Sequence, residues 1–106
     1  MNAPERLAHN EAVFREINER IKAGTWVTSG DQPVAFACEC AALRCNVLVE
    51  LTVSEYEAVR AHPRRFLLAP GHELPAIEVV VHSEAGYVVV EKQGEAAAEA
   101  EASDPR

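Results

Sequence analysis

Residues 34–51 read VAFACECAALRCNVLVEL and contain every cysteine of the chain. The first four residues of this stretch are apolar, and residues 47–51 alternate apolar side chains between two faces. This pattern predicts two short strands joined by a loop. The loop holds three cysteines: Cys38, Cys40 and Cys45. The rest of the fold is predicted relative to these two strands and the cysteine loop between them.

The spacing of the cysteines favours a metal site. Cys38 and Cys40 point to the same side of an extended segment, and a reversing loop returns Cys45 to them. Structural zinc sites are closed by four protein ligands, often thiolates. A disulfide fits poorly, because the number of cysteines is odd and a bridge between neighbours two apart is strained. We therefore predict zinc, with unreactive buried cysteines and a small iron–sulfur site as alternatives.

The fourth zinc ligand has to come from outside the cysteine loop. The chain offers these histidines: His9, His62, His72 and His82. We favour His72, because the preceding Pro70-Gly71 forms a tight bend that presents an imidazole from a fixed backbone. The predicted metal ligands are Cys38, Cys40, Cys45 and His72.

Residues 5–23 predict an amphipathic helix that ends at Gly24. Its apolar side chains fall at helical spacing: Leu7, Phe14, Ile17 and Ile21, with Val13 beside them. Arg15 and Glu19 are placed on the opposite, solvent-facing side. We expect the helix to pack on the protein's own core. A dimerisation or partner helix is the alternative, because the same residues fit a short heptad pattern.

Two further local signals complete the secondary structure. Thr52 followed three residues later by Glu55 matches a capping box and predicts a helix over 53–61. Residues 77–82 and 87–92 predict a hairpin of β-branched strands, with helix 5–23 covering one of its faces. The fold class is therefore α+β: an N-terminal helix on a small, mainly antiparallel sheet, a short middle helix and a zinc-bound loop.

The domain is expected to span residues 1–93. Residues 94–106 are rich in Ala and Glu and contain no large apolar side chain. Such a segment buries too little surface to offset its ordering entropy, so we predict a solvated acidic tail. A segment that becomes ordered on a partner is the alternative.

The charge balance excludes several classes of function. A formal net charge of −7 argues against duplex nucleic-acid binding and against adsorption to anionic membranes. No apolar run approaches the roughly 20 residues that span a bilayer. We expect a cytoplasmic protein, because the N-terminal residues lead into no apolar segment of the signal-peptide kind.

Signals for catalysis are sparse in this sequence. It contains no phosphate-binding glycine loop, no HExxH and no nucleophile elbow. Glu39, between two cysteines, would act as a base only if the fourth metal position were open to water. A closed site predicts that Cys45→Ala lowers the melting temperature strongly and that Glu39→Gln has little effect. A small thiol- or metal-dependent enzyme, or a redox switch that uses Cys38, Glu39 and Cys40, is the alternative.

Several motifs resemble those of a family of small, uncharacterised actinobacterial proteins. They are NEAVFREINER (10–20), FACEC (36–40) with Cys45, EYEAVR (55–60), PRRF (63–66), PGHE (70–73) and VVVEK (88–92). In such sequences the Cys-x-Cys-x4-Cys motif and the Pro-Gly-His motif look like the metal set, which agrees with the choice made from the residues. The resemblance implies no activity. The sequence thus predicts a non-enzymatic, zinc-stabilised interaction or regulatory module, with helix 5–23 as the surface for a protein partner or self-association.

Overall fold

The computed structural model describes residues 3–24, 32–40, 42 and 45–104. The elements follow in this order: α1 (Ala3–Gly24), β1 (Pro33–Ala37), β2 (Leu48–Thr52), α2 (Val53–Arg60), β3 (Arg65–Leu68), β4 (Glu78–Ser83), β5 (Val88–Lys92) and α3 (Glu95–Ala102). The predicted α+β class is confirmed. The strands form two antiparallel sheets, one of β1 and β2 and one in the order β3-β5-β4.

The first sheet frames the cysteine loop. Its register pairs Phe36 with Val49, and Val49 and Leu51 are buried while Leu48 and Glu50 are exposed. The predicted alternation is confirmed over residues 48–51, whereas Val47, which was expected on the buried face, precedes β2 and is 40% exposed. The ladder continues past β1, since the Cys38 backbone N–H donates to the Val47 carbonyl at 3.1 Å. The chain therefore enters the cysteine loop still extended.

Helix α2 begins at the predicted capping box. The Thr52 Oγ1 accepts a hydrogen bond from the Glu55 backbone N–H at 3.0 Å, and the Glu55 carboxylate accepts one from the Thr52 N–H at 2.9 Å. The helix then packs its Tyr56 ring on Phe36, with ring centroids 4.4 Å apart and planes inclined by 14°. This stacking joins α2 to the first sheet.

The second sheet contains the predicted hairpin. Strand β5 lies between β3 and β4, and its Val88, Val89 and Val90 are buried. A register irregularity between Val80 and His82 interrupts the β4–β5 pairing. Strand β4 lies at one edge of the sheet, and its valines at 79, 80 and 81 are 39–48% exposed.

Helix α1 is oriented differently from the expectation. Arg15 and Asn18 are fully buried, whereas Val13 is 40% exposed and Ile17 is 39% exposed. The placement of Arg15 on the solvent side is therefore wrong. The reason is that the protein interior presents backbone carbonyls and a carboxylate to this helix, and buried acceptors of this kind need donors.

The C-terminal segment is a helix, so the prediction of a solvated tail is wrong for residues 95–102. Helix α3 buries Ala97 and Ala100 and contacts both α1 and β5. The Arg15 guanidinium donates to the Ala100 carbonyl at 2.7 Å and to the Pro63 carbonyl at 2.8 Å. The small alanine side chains allow α3 to approach its neighbours closely. The charge-assisted hydrogen bonds of Arg15 then stabilise the docked helix, which has no large apolar residue to bury.

Further ion pairs hold the end of the chain. The buried Arg60 side chain bridges Glu19 of α1 at 2.8 Å and Asp104, which follows α3. Helix α1 thus packs against β1 and α3, whereas the sequence had assigned it to the face of the hairpin. In the structure, α3 packs against β5.

Candidate metal centre

The structure brings together the four residues that the sequence singled out as metal ligands. One ligand atom from each of Cys38, Cys40, Cys45 and His72 lies within 4.8 Å of all the others. The His72 Nδ1 is 3.6 Å from the Cys38 Sγ and 3.5 Å from the Cys45 Sγ. Three sulfurs and one imidazole nitrogen therefore surround a common point.

The two sulfur-to-nitrogen separations match tetrahedral coordination. With Zn–S bonds of about 2.3 Å and Zn–N bonds of about 2.0–2.1 Å, a sulfur and a nitrogen on one tetrahedral ion stand roughly 3.6 Å apart. The distances of 3.6 Å and 3.5 Å agree with that value. All three cysteines are free thiols in the structure. The donor set and its spacing thus fit a four-coordinate metal ion.

Two backbone features aim the cysteine sulfurs. The extended chain after β1 places Cys38 and Cys40 in the interior, where they are 1% and 4% exposed. The chain then turns back, with the Cys45 N–H donating to the Ala42 carbonyl at 3.0 Å. Cys45 remains partly exposed, so the site has one solvent-facing side.

A tight turn fixes the histidine. The His72 N–H donates to the Ala69 carbonyl at 3.1 Å, and Gly71 between them has φ +87°. Proline followed by a residue with positive φ is typical of a type II turn, in which glycine avoids the steric cost of a Cβ. The predicted bend at Pro70-Gly71 is confirmed.

The same turn contributes a hydrogen bond to the cysteine loop. The Ala69 backbone N–H donates to the Cys38 Sγ at 3.2 Å. Such a bond stabilises the charged thiolate and fixes its orientation. Sequence analysis missed this contact, because a backbone donor leaves no signal in residue identities.

Burial opposes ionisation of the inner thiols. It raises the pKa of Cys38 to about 12 and raises the pKa of Cys40, and the neighbouring cysteine sulfurs add to the rise for Cys38. Thiolates, and not thiols, ligate metals. A bound cation would therefore supply the charge that keeps these sulfurs ionised inside the protein.

The other histidines do not join this cluster. His62 is exposed after α2, and His82 is exposed and paired with Glu84 at 2.9 Å. The His9 side chain lies outside the described residues. Of the histidine side chains that the structure describes, His72 alone meets the cysteines.

Glu39 points into the core and is completely buried. One carboxylate oxygen accepts from the Leu67 N–H at 2.8 Å. The other accepts from the Asn18 side-chain amide at 2.8 Å and from the Tyr56 hydroxyl at 2.7 Å. Burial raises its pKa, and these donors act in the opposite direction. The carboxylate thus serves as a hydrogen-bond acceptor in the core. The expectation that Glu39→Gln has little effect on stability therefore no longer follows.

Asn18 is the partner that sequence analysis overlooked. Its amide donates to the Ala37 carbonyl at 2.7 Å and accepts from the Ala37 N–H at 2.7 Å. It therefore fixes the end of β1, directly before the first cysteine. A signal was present, because Asn18 lies at helical spacing from Phe14 and Ile21 and so interrupts an otherwise apolar side of α1.

No family model, curated protein or solved structure matches the chain. Among the residues that the structure describes, no helix combines the length and apolar character needed to cross a bilayer. The interpretation of function therefore rests on the metal centre and its surroundings.

Proposed function

We propose that this protein is a small, non-enzymatic interaction module whose fold is stabilised by a structural zinc ion. The observation that carries the proposal is the closed set of three sulfurs and one imidazole, all within 4.8 Å of one another. Zinc is favoured over other metals because Cys3His is a common ligand set of structural zinc sites and its geometry is tetrahedral.

The position of the metal explains why it would matter for stability. Cys38 and Cys40 follow the first sheet, whereas His72 follows β3 of the second sheet. One ion would therefore cross-link segments about 30 residues apart in a protein with a modest core. The Ala69 N–H bond to Cys38 runs between the same two segments, so the metal and the backbone would act together.

A structural role is favoured over a catalytic one by the surroundings of the metal. Catalytic zinc keeps a position open for water or substrate, and here four protein ligands converge. Glu39, the candidate base, has both carboxylate oxygens occupied by Leu67, Asn18 and Tyr56. Neither the free coordination position nor the free base of a zinc hydrolase is supported.

The proposed partner surface is the outer side of α1. Val13 and Ile17 lie one helical turn apart and are each about two-fifths exposed, and together they form an apolar patch on an otherwise charged face. Such a patch suits a protein partner or a second copy of the chain.

His72→Ala tests the closed site. We expect the variant to bind zinc at least about tenfold more weakly. Loss of a residue that only hydrogen-bonds to a ligand already lowers metal affinity by about that factor, and here a ligand itself is lost. Competition with a chromogenic chelator measures the affinity. His82→Ala is the matched control, because His82 is exposed and lies outside the cluster. Equal affinity of His72→Ala and the unaltered protein would refute the four-ligand site.

A second candidate, a redox-sensitive form of the same site, is favoured by the partial exposure of Cys45. Peroxide would oxidise the Cys45 thiolate to a sulfenic acid with release of hydroxide. The Cys40 thiolate would then displace a second hydroxide to form a disulfide, and zinc would leave. Zinc release that tracks the loss of two thiols per chain supports this candidate, and retention of zinc in excess peroxide argues against it.

A further inference from the structure

A groove of about 450 Å³ lies between α2 and the second sheet. No residue of the metal centre lines it. One wall is formed by Glu55, Ala58 and Val59 of α2, and the floor includes Val89 of β5. Its volume lies within the range of small-molecule sites, which is about 300–1,000 Å³.

The lining of the groove is acidic at one end. Glu55 accepts from the Tyr87 hydroxyl at 3.0 Å and from the Thr52 N–H, both of which are neutral donors. Glu84, near the hairpin turn, pairs with the His82 ring at 2.9 Å. The Glu84 backbone N–H also donates to the Tyr87 carbonyl at 2.8 Å, so both glutamates lie beside Tyr87.

The positive charge in the lining is already compensated. Arg65 is the one permanently charged cation among the lining residues, and its Nε pairs with Glu91 at 3.2 Å. Arg65 also lies on β3, and His82 lies on β4 at the other edge of the sheet. Two strand spacings, about 10 Å, separate the backbones of those strands, and the Arg65 charge is already matched by Glu91.

An apolar surface adjoins the acidic end. Ala58 and Val81 line the groove and are exposed to solvent, and Val89 is buried beneath them. Ligand sites commonly combine such an apolar surface with a few polar groups that fix orientation.

We propose that this groove is a binding site for a small organic cation, a primary amine with an apolar body. The ammonium group donates to the carboxylates of Glu84 and Glu55, and the apolar body lies on Ala58, Val81 and Val89. This site is independent of the proposed zinc role, because the two share no residue.

Three probes of one shape test the proposal on the full-length protein: 2-phenylethylammonium, 2-phenylethanol and phenylacetate. Amide chemical shifts at Val81, His82 and Val89 are followed by NMR during titration. We expect saturable shifts with the amine and a dissociation constant about tenfold lower than for phenylacetate, because two carboxylates attract one charge and repel the other. Equal affinity of the three probes, tighter binding of phenylacetate, or no saturable shift with the amine overturns the proposal.

Two variants locate the site. Glu84→Gln should weaken the amine about threefold and leave 2-phenylethanol unchanged, because it removes one of two attracting charges. Glu99→Gln is the control, since Glu99 is an exposed residue of α3. We expect this variant to change neither the affinity for the amine nor the affinity for 2-phenylethanol. Ala58→Phe fills the groove from an exposed helix position, and binding of every probe should fall. Amine binding that survives Ala58→Phe would place the site elsewhere.

Discussion

Replacing Cys38 with alanine is expected to lower the melting temperature of the zinc-loaded protein by at least about 15 °C. The variant loses a ligand of the proposed metal and leaves the Ala69 N–H without its sulfur acceptor. A structural zinc ion contributes folding free energy on the order of 10 kcal/mol in the smallest domains. Loss of a few kcal/mol of stability from the variant would be a modest share of that contribution. In a domain of this size, each kcal/mol corresponds to roughly 4–8 °C.

The control for this experiment is the same protein in excess chelator. If the metal carries the effect, chelator should destabilise the unaltered protein strongly and should change the Cys38→Ala variant little. Calorimetry or circular dichroism gives both melting temperatures. A Cys38→Ala variant that melts within a few degrees of the unaltered protein, together with insensitivity to chelator, would contradict the structural role.

Glu39→Gln is expected to destabilise the protein by about 2–4 kcal/mol, because a buried donor–donor conflict replaces a hydrogen bond to a charged group. The glutamine oxygen can accept the hydrogen bond from the Leu67 N–H. The NH2 group of the glutamine then faces the NH2 group of Asn18, and both are donors. Asn18 cannot flip in response, since Ala37 holds both ends of its amide. Chemical denaturation measures the loss, which corresponds to roughly 10–25 °C in melting temperature.

The zinc content distinguishes this effect from a direct effect on the metal. Glu39→Gln should retain its metal, because Glu39 is not part of the ligand set. Glu50→Gln is the matched control on exposed strand surface, and we expect a change within about 0.5 kcal/mol. A stable Glu39→Gln variant that loses a hydrolytic or redox activity would instead favour the enzyme hypothesis.

The features predicted well from the sequence are those that short segments determine by themselves. The capping box needs only Thr52 and Glu55, which are three residues apart, and both of its hydrogen bonds are present. The alternation over 48–51 assigns the buried face of β2, because side-chain direction in a strand has a period of two. The Pro70-Gly71 turn is equally local, and it is the reason that His72 could be chosen among the histidines.

The features that were predicted wrongly depend on polar contacts between distant segments. Arg15 was assigned to solvent by its charge, yet it binds a carbonyl 85 residues away in α3. The same bond explains why an Ala- and Glu-rich segment forms a docked helix. Hydrophobic periodicity carries no information about buried ion pairs such as that of Arg60 with Asp104. These polar contacts also rotate α1, which exposes Ile17.

The candidate site also has a part that the sequence predicted and a part that it did not. The candidate ligands could be chosen from residue chemistry, because three cysteines and a turn-held histidine suit one metal. The surroundings of the ligands do not follow from it, since Glu39 reads as a base beside a metal and only its contacts with Asn18 and Tyr56 reveal a structural role.

Elemental mass spectrometry of the untagged protein tests the central claim most directly. The closed site predicts one zinc ion per chain, retained through dialysis and released only when the thiols are protonated or a strong chelator is added. Protein that carries no metal, refuses added zinc and shows all its thiols reactive would contradict the account.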